Sequence, residues 1–246
     1  MALTIEGRNP VLEALRAGQK LSCLYVREGI KVDVKIAEIF RLAQKHTVLL
    51  KRLPQHNLDY VSQTHTNQGV VAVKSDTVVR SFVETLEFLE QQGKHPFVIY
   101  IREAQNESNV GSVIRSAEGA GANVVILPPK LEISAQMIRS SMGASEHLSI
   151  IHEGLFNAIK TAKEWAIKVV GIELSGTKYY FEEDLTGNMM LIVGGEDRSL
   201  SPEVLSKCDS VVKIPQLGMV NSLNMSVAAS VVMFEKVKQD LTLKKK

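Results

Sequence analysis

Short apolar runs alternate with helix-spaced segments over the second part of the chain. Six runs rich in valine, isoleucine and leucine are predicted to be strands: 97–101, 123–127, 149–151, 168–172, 189–193 and 210–214. The segments between them predict helices at 110–119, 133–141, 155–164 and 201–207. Short apolar strands separated by helices are typical of a parallel sheet that is covered on both faces. The pattern therefore predicts a parallel α/β fold.

The first part of the chain has a shorter pattern of its own. A helix is predicted at 7–15, with Asn9 as its N-cap and Pro10 at its first helical position. The spacing of Ile36, Ile39 and Phe40 predicts a second helix at 34–44. Strands are predicted at 21–26, 47–50 and 68–73. This α-β-α-β order indicates a small α/β domain.

Three regions follow from these patterns. Residues 1–77 form the first predicted domain, 78–95 a linker with a leading helix, and 96–246 the second domain. Residues 75–80 are the predicted linker, and 81–92 the amphipathic helix that follows it.

Composition narrows the class of protein. With 246 residues and 45% hydrophobic content, the chain has enough apolar side chains for a substantial core. No apolar run approaches the roughly 20 residues that span a bilayer, and no signal-peptide pattern is present, so we expect a soluble, cytoplasmic protein with no membrane partner. Cys23 and Cys208 stand alone, so neither a disulfide framework nor a metal site is expected. The net charge of +2 does not by itself indicate a nucleic-acid partner.

The alternation of strands and helices raises the alternative of a dinucleotide-binding enzyme. Gly119-Ala120-Gly121 follows a predicted helix and precedes a strand, which is the reverse of the glycine loop that binds a dinucleotide. It is better interpreted as a helix C-cap. A nicotinamide dehydrogenase is therefore disfavoured.

The stretch 213–226 is the most informative part of the sequence. Pro215 ends the preceding strand, Gly218 permits a turn or a close backbone approach, and Ser222 and Asn224 are good helix caps. The helix after them is apolar on nearly every face, so we expect a loop between a buried strand and a buried helix, with Val227, Val231 and Phe234 at i, i+4 and i+7. Backbone groups in such a loop can hydrogen-bond a ligand.

Three motifs, in order along the chain, resemble those of one enzyme family. They are Asn109-Val110-Gly111 with Arg115, then Val193-Gly194-Gly195-Glu196, then Ile214-Pro215 with Gly218 and Ser222-Leu223-Asn224. Together they resemble the TrmH/SpoU family of RNA ribose 2′-O-methyltransferases, within the SPOUT superfamily. Asn109 would cap the first motif's helix, with Arg115 less than two turns further on.

The resemblance implies a catalytic domain closed by a C-terminal trefoil knot, which would hold S-adenosylmethionine in a site completed by a homodimer. Gly194, Ile214 and Leu223 would contact the cofactor, and Gly218 would keep its loop open. Arg115 would be the catalytic arginine. The residues that would orient it and the ribose are Asn109, Glu196, Ser222 and Asn224.

The first domain also resembles a known module, the ribosomal-protein-like RNA-binding domain of many family members. The resemblance lies in residues 7–15 and 68–72, whereas Asn67 stands where members often have histidine. Arg8, Lys51 and Arg52 are candidate phosphate contacts.

Several alternatives stay open from the sequence. The substrate is ribosomal RNA, favoured by the added N-terminal domain, with guanosine as a common family target; transfer RNA is the alternative. The leading hypothesis is the methyltransferase. The second hypothesis is a non-catalytic RNA-binding or ribosome-assembly protein on the same fold, and the third is another nucleotide-using α/β enzyme. No residue indicates which base is selected.

Overall fold

The computed structural model describes residues 4–64, 66–74, 81–103, 105–195, 199–219 and 222–244. They form two compact units, each with its own sheet. The first contains the described residues of 1–78 together with Ile133–His147, and the second contains those of 79–132 and 148–246. The predicted linker, 75–80, and the boundary at 77 lie outside the described residues.

The first unit is a four-stranded mixed sheet with helices. Its elements are β1 (Thr4–Glu6), α1 (Arg8–Arg16), β2 (Leu21–Arg27), α2 (Val34–Lys45), β3 (Leu49–Leu53), α3 (Gln55–Val61) and β4 (Val70–Lys74). The strand order is β1-β4-β2-β3, with β4 antiparallel to both of its neighbours and β3 parallel to β2. The structure adds β1 and α3, which the sequence patterns did not predict.

The predicted cap of α1 is wrong. The N-cap is Gly7, whose φ of 96° suits glycine, and Asn9 lies inside the helix. The Asn9 side chain instead accepts a hydrogen bond from Lys35 Nζ at 2.6 Å. Arg8, a candidate phosphate contact, forms an ion pair with Asp33 at 2.6 Å.

Lys51 and Arg52 lie on β3, which is exposed along nearly its whole length. This strand is at the edge of the sheet. The Arg52 guanidinium also lies 5.7 Å from the centre of the Phe40 ring. Both cations are therefore displayed on an open edge of the first unit.

A buried carboxylate organises one loop of the first unit. Glu6 is fully buried and accepts hydrogen bonds from the Ser62 hydroxyl at 2.7 Å and the Gln63 backbone N–H at 2.5 Å. The backbone and hydroxyl of Thr64 also donate to it. Burial raises the pKa of Glu6, but the hydrogen bonds from Thr64 and Ser62 outweigh it and leave the pKa below the usual value.

Asn67 is also buried, and it has a structural role. Its side-chain oxygen accepts from the Gly69 backbone N–H at 2.9 Å, and its amide nitrogen donates to Asp59 at 3.0 Å. The residue thus fixes the turn that leads into β4.

Residues 133–147 complete the first unit although they follow a strand of the second. They contain α6 (Ala135–Ser140) and a short 3-10 helix (Ala144–Glu146). Ile138 is part of the first unit's apolar core. Gly143, at φ 97°, lies so close to α1 that an added Cβ would be 2.5 Å from Glu13 Cβ. Glu146, with its side chain buried, pairs with Lys74 at 2.9 Å.

The second unit begins with α4 (Phe82–Gln91), which is held by a capping box between Ser81 and Glu84. Seven strands form its sheet in the order β7-β6-β5-β10-β8-β11-β9, and all the pairings are parallel. The strands are β5 (Phe97–Ile101), β6 (Val124–Leu127), β7 (Ser149–His152), β8 (Lys168–Ile172), β9 (Lys178–Tyr179), β10 (Met189–Val193) and β11 (Ser210–Lys213). The helices are α5 (Glu107–Gly119), α7 (Leu155–Glu164), α8 (Pro202–Lys207) and α9 (Met225–Leu243).

The predicted parallel α/β fold is confirmed, with one correction at the start of α5. The N-cap of α5 is Asn106, whose side chain accepts from the Ser108 N–H, so the predicted cap at Asn109 is wrong. At the other end, α5 stops at Gly119 and Gly121 adopts φ 79°, as expected of a glycine C-cap. The trefoil knot that the resemblance implies stays a prediction.

The last helix is buried on one face only. Ala229, Val232 and Met233 are buried, but Val227 is 47% exposed and Phe234 49% exposed. The helix that was expected to be buried is therefore buried along one face, while the apolar side chains of Val227 and Phe234 are about half exposed. No helix in the described parts of the chain is long and apolar enough to cross a membrane.

Candidate active site

A cleft opens at the carboxyl ends of three neighbouring strands of the second unit. This is the edge of a parallel sheet where ligands bind in α/β proteins. The cleft has a volume of about 230 Å³. It is lined by Ile172, Glu173, Leu174, Val193, Gly194, Gly195, Ser199, Ile214, Gln216, Ser222, Leu223, Met225 and Ala228.

The three residues predicted to make direct cofactor contacts all line this cleft. Gly194 follows β10, Ile214 follows β11, and Leu223 precedes α9. Pro215 comes directly after Ile214, and β11 ends at Lys213, as the sequence predicted to within one residue. Strand ends therefore form one wall, and the start of α9 forms another.

Two glycines allow close packing of the chain, one at Gly195 in the cleft lining and one at Gly176 in the loop after β8. A Cβ at Gly195 would lie 2.6 Å from Glu103 Oε2, and one at Gly176 would lie 2.8 Å from the backbone carbon of Val212. By contrast, a Cβ at Gly218 would meet no described atom within 4 Å. Gly218 is also absent from the cleft lining, so the close approach expected there is not seen among the described residues.

Glu173 is a lining residue that sequence reasoning missed. Its carboxylate accepts hydrogen bonds from the backbone N–H groups of Leu174 at 2.9 Å and Leu200 at 2.7 Å. These bonds tie together two loops that follow different strands. The position directly after a parallel strand is the only signal in the sequence that could have indicated it.

The loop after β11 presents apolar side chains to solvent. Leu217 and Met219 are almost fully exposed, and Leu223 is partly so. Exposed large apolar residues beside a cleft are typical of a surface that meets a ligand or another protein. Ser222 is exposed and lines the cleft between them.

The structure brings Asn109 and Asn224 together. Asn224 Nδ2 donates to Asn109 Oδ1 at 3.2 Å, while the Asn224 oxygen accepts from the Ser226 backbone N–H and caps α9. The same two helices meet again where the Ser230 hydroxyl donates to Ser116 at 2.8 Å. The first and third motifs are thus joined through their helices.

Arg115 lies on α5, exposed to solvent. No hydrogen bond or ion pair joins it to any residue in the described ranges. Its guanidinium is therefore not committed to a described partner and can bind an anion. Glu196, predicted to help orient it, lies outside the described residues.

The cleft suits an uncharged ring and a zwitterionic chain better than a metal ion. Small residues, strand-end backbone groups and apolar side chains surround it, with one carboxylate at Glu173. Its volume is below the usual range for ligand pockets of about 300–1,000 Å³, so a nucleoside-sized cofactor would need further contacts at the mouth. Within the described chain, no group of three metal-ligating side chains is found.

Comparisons with known proteins identify the family to which the chain belongs. The SpoU rRNA Methylase family matches residues 96–234, and the module described as RNA 2′-O ribose methyltransferase substrate binding matches residues 4–75. A Staphylococcus saprophyticus protein assigned to the TrmH family of tRNA/rRNA methyltransferases is 30% identical over 236 residues, covering 95% of this chain and 94% of the relative.

Two solved structures show the same fold. An rRNA methyltransferase from Sinorhizobium meliloti with bound AdoMet has a TM-score of 0.76 at 20% identity, covering 96% of this chain and 87% of the other. A TrmH/SpoU tRNA modifying enzyme from A. aeolicus has a TM-score of 0.55 at 22% identity, covering 66% of this chain and 85% of the other. Since the SpoU family match spans more than half of the sequence, this chain belongs to the SpoU rRNA methylase family of RNA 2′-O-ribose methyltransferases.

Proposed function

We propose that this protein transfers a methyl group from S-adenosylmethionine to the 2′-hydroxyl of one ribose in ribosomal RNA, with guanosine as the first nucleotide to test. The observation that carries the proposal is the cleft at the ends of β8, β10 and β11, whose lining includes Gly194, Ile214 and Leu223. These are the positions at which the resemblance of the motifs implies contact with the cofactor.

S-adenosylmethionine supplies an electrophilic methyl on a sulfonium, so the leaving group is already good. The protein's task is to place the ribose hydroxyl in line with that methyl and to help remove the hydroxyl proton. Backbone groups at Gly194 and Ile214 would hold the cofactor, and the Glu173 carboxylate, fixed by two backbone N–H groups, gives the wall a negative charge that suits a cationic ligand.

Arg115 is the proposed catalytic residue. An arginine stays protonated, so it is a poor general base, but its planar guanidinium binds phosphate in two places and stabilises charge that develops on an alkoxide. Its exposure, and the lack of a described partner, leave the guanidinium available for RNA. Asn109 and Asn224 would orient the helices that carry the site. Glu196 and Ser222 would complete the ribose contacts.

The choice of ribosomal over transfer RNA rests on the first unit. The S. meliloti rRNA enzyme matches nearly the whole of this chain, whereas the tRNA modifying enzyme matches about two thirds of it. Because that coverage is 96% of this chain, the S. meliloti enzyme also has a structural counterpart to most of residues 4–75, which match the substrate-binding module here. Residues 1–77 would bind RNA, and 96–246 would carry out the transfer.

A homodimer would complete the active site. Leu217 and Met219 are exposed apolar residues on the loop beside the cleft, and Val227 and Phe234 are exposed apolar residues on α9, the helix that begins there. Covering them with a second copy would remove a costly apolar surface from water and close the mouth of a cleft that is small for the cofactor.

A transfer assay tests the proposal. Tritiated S-adenosylmethionine is incubated with the full-length protein and ribosomal or transfer RNA from cells that lack it, followed by mapping of the labelled nucleoside. We expect one labelled ribose in ribosomal RNA, and labelling about 100- to 1,000-fold slower with Arg115→Ala. Label in transfer RNA alone would overturn the substrate assignment, and cofactor binding without transfer to either RNA would overturn the catalytic one.

A further inference from the structure

An aromatic cluster lies at the edge of the second unit's sheet, next to the cleft. We name Tyr179, Tyr180 and Phe181 the aromatic cluster. The rings of Tyr179 and Phe181 are stacked, with centres 5.4 Å apart and planes 13° apart. Tyr180 meets Phe181 edge-on at 5.1 Å. Tyr179 and Phe181 are exposed, so the cluster presents ring surface to solvent.

The cluster and the cleft both lie at the carboxyl ends of the parallel strands. Tyr179 pairs with Lys213 in the register of β9 and β11, and the Tyr180 N–H donates to the Lys213 carbonyl at 3.0 Å. Ile214, the next residue after Lys213, lines the cleft. Neighbouring strands are about 4.8 Å apart. The aromatic cluster is therefore one strand away from β11, whose end borders the cleft.

Lys213 lies next to the rings of the aromatic cluster. Lys213 Nζ lies 5.1 Å from the centre of the Tyr179 ring, and it forms no ion pair with any residue in the described ranges. The acidic residues that follow are already engaged: Glu183 pairs with Lys168 and Lys178, and Glu182 accepts from the Tyr179 N–H. One lysine is thus left to meet a phosphate.

Exposed aromatic rings beside a lysine are what single-stranded nucleic acid needs. A base stacks on a ring face whatever its identity, and the cation contacts the backbone. We propose that the aromatic cluster, with Lys213, stacks an unpaired base that flanks the target nucleotide; this inference rests on the proposed RNA substrate. Lys168, Lys178 and Lys213 stand against Glu182, Glu183 and Asp184 in this region, so stacking provides most of the affinity.

The chain offers a matched control at the opposite edge of the sheet. Phe156, at the start of α7 after β7, is 46% exposed, against 48% for Phe181. Replacing either by leucine keeps an apolar side chain of similar size but removes the aromatic face. Phe181→Trp restores a larger face.

The experiment measures binding of fluorescent single-stranded oligoadenylate of about 12 nucleotides, a length typical of single-strand sites, to the full-length protein. A backbone of equal length without bases is the second probe. We expect Phe181→Leu to weaken oligoadenylate binding roughly 5- to 100-fold at both low and high salt, and to leave the abasic probe unaffected. Phe156→Leu should match wild type, and Phe181→Trp should restore affinity. Lys213→Ala should lower the salt slope by about one for both probes.

Two results would overturn the inference. One is wild-type oligoadenylate affinity in Phe181→Leu. The other is a change in sedimentation mass with this variant, because the aromatic cluster would then be a contact between protein copies. Binding is read without catalysis, so failure of the transfer assay alone leaves this test intact.

Discussion

Asn224 caps the last helix with its side-chain oxygen and, with its amide nitrogen, donates to Asn109 at 3.2 Å, across 115 residues of sequence. One side chain therefore does two separable jobs. It starts α9 beside the cleft, and it links α9 to the helix that carries Arg115.

The two jobs of Asn224 can be separated by substitution. Asn224→Ser keeps an oxygen that caps the helix but is too short to reach Asn109, whereas Asn224→Ala loses both contacts. We expect Asn224→Ala to lower the free energy of unfolding by about 1 kcal/mol, and Asn224→Ser to lower it by much less. Both should reduce methyl transfer. Urea unfolding and the transfer assay check this; full activity in Asn224→Ser would mean that the Asn109 contact has no catalytic role.

Arg115 is exposed and should matter for turnover but not for folding. We expect Arg115→Ala to lower kcat by about 100- to 1,000-fold, as does the loss of one group that stabilises transition-state charge. Arg115→Lys keeps the charge but loses the planar fork, so it should recover little. Unfolding free energy and cofactor affinity should match wild type in both. Near-normal kcat in Arg115→Lys would exclude the two-point clamp on phosphate.

Glu6 should make stability depend on pH. Its pKa is lower folded than unfolded, so its ionised form stabilises the protein fully above the unfolded value of about 4.3, and this contribution is lost as pH falls through the lower folded value. Glu6→Gln should cost about 1.5–3 kcal/mol at pH 7, and less at pH 3. Urea unfolding at both pH values measures it, with the exposed Glu28→Gln as control. If Glu6→Gln lowered the free energy of unfolding equally at pH 7 and pH 3, the negative charge of Glu6 would not be what stabilises the loop.

The corrected caps show which part of the fold local sequence can predict. Asn106, Ser108 and Asn109 are all good caps, and only tertiary packing selects Asn106. Helical spacing likewise located α9 but could not say that Val227 and Phe234 face outward. Strand ends, by contrast, follow from the apolar runs and from Pro215, whereas the predicted cofactor positions that line the cleft came from the resemblance of the three motifs.

Two glycines give opposite expectations. Gly176→Ala places a Cβ 2.8 Å from the Val212 backbone, which cannot move aside without disturbing β11, so we expect a loss of about 1–3 kcal/mol. Gly218→Ala meets open space among the described residues, so stability should be unchanged or slightly higher. Thermal unfolding compares them, and calorimetry with S-adenosylmethionine tests Gly218 for binding. A large loss of cofactor affinity in Gly218→Ala would show that the loop closes onto the ligand.

Lys51 and Arg52 should contribute to RNA affinity through charge. Replacing both by alanine should weaken binding of ribosomal RNA and lower the slope of log affinity against log salt by about two, because each neutralised phosphate releases counterions. Filter binding between low and high salt measures the slope, with the exposed Lys160→Ala on α7 as control. An unchanged slope would place the RNA on another face of the first unit.

Ile138 packs in the apolar core of the first unit and Gly143 lies against α1, although both residues come from the middle of the chain. The first unit is therefore made of two separate segments of the chain, and no single truncation yields all of it. A fragment ending at residue 74 would lose Ile138 from its core and leave Lys74 without Glu146. An exchange of the whole first unit between relatives would need three crossovers, one after residue 78 and one at each end of 133–147, whereas a single crossover would separate the core residue Ile138 from the sheet it packs against.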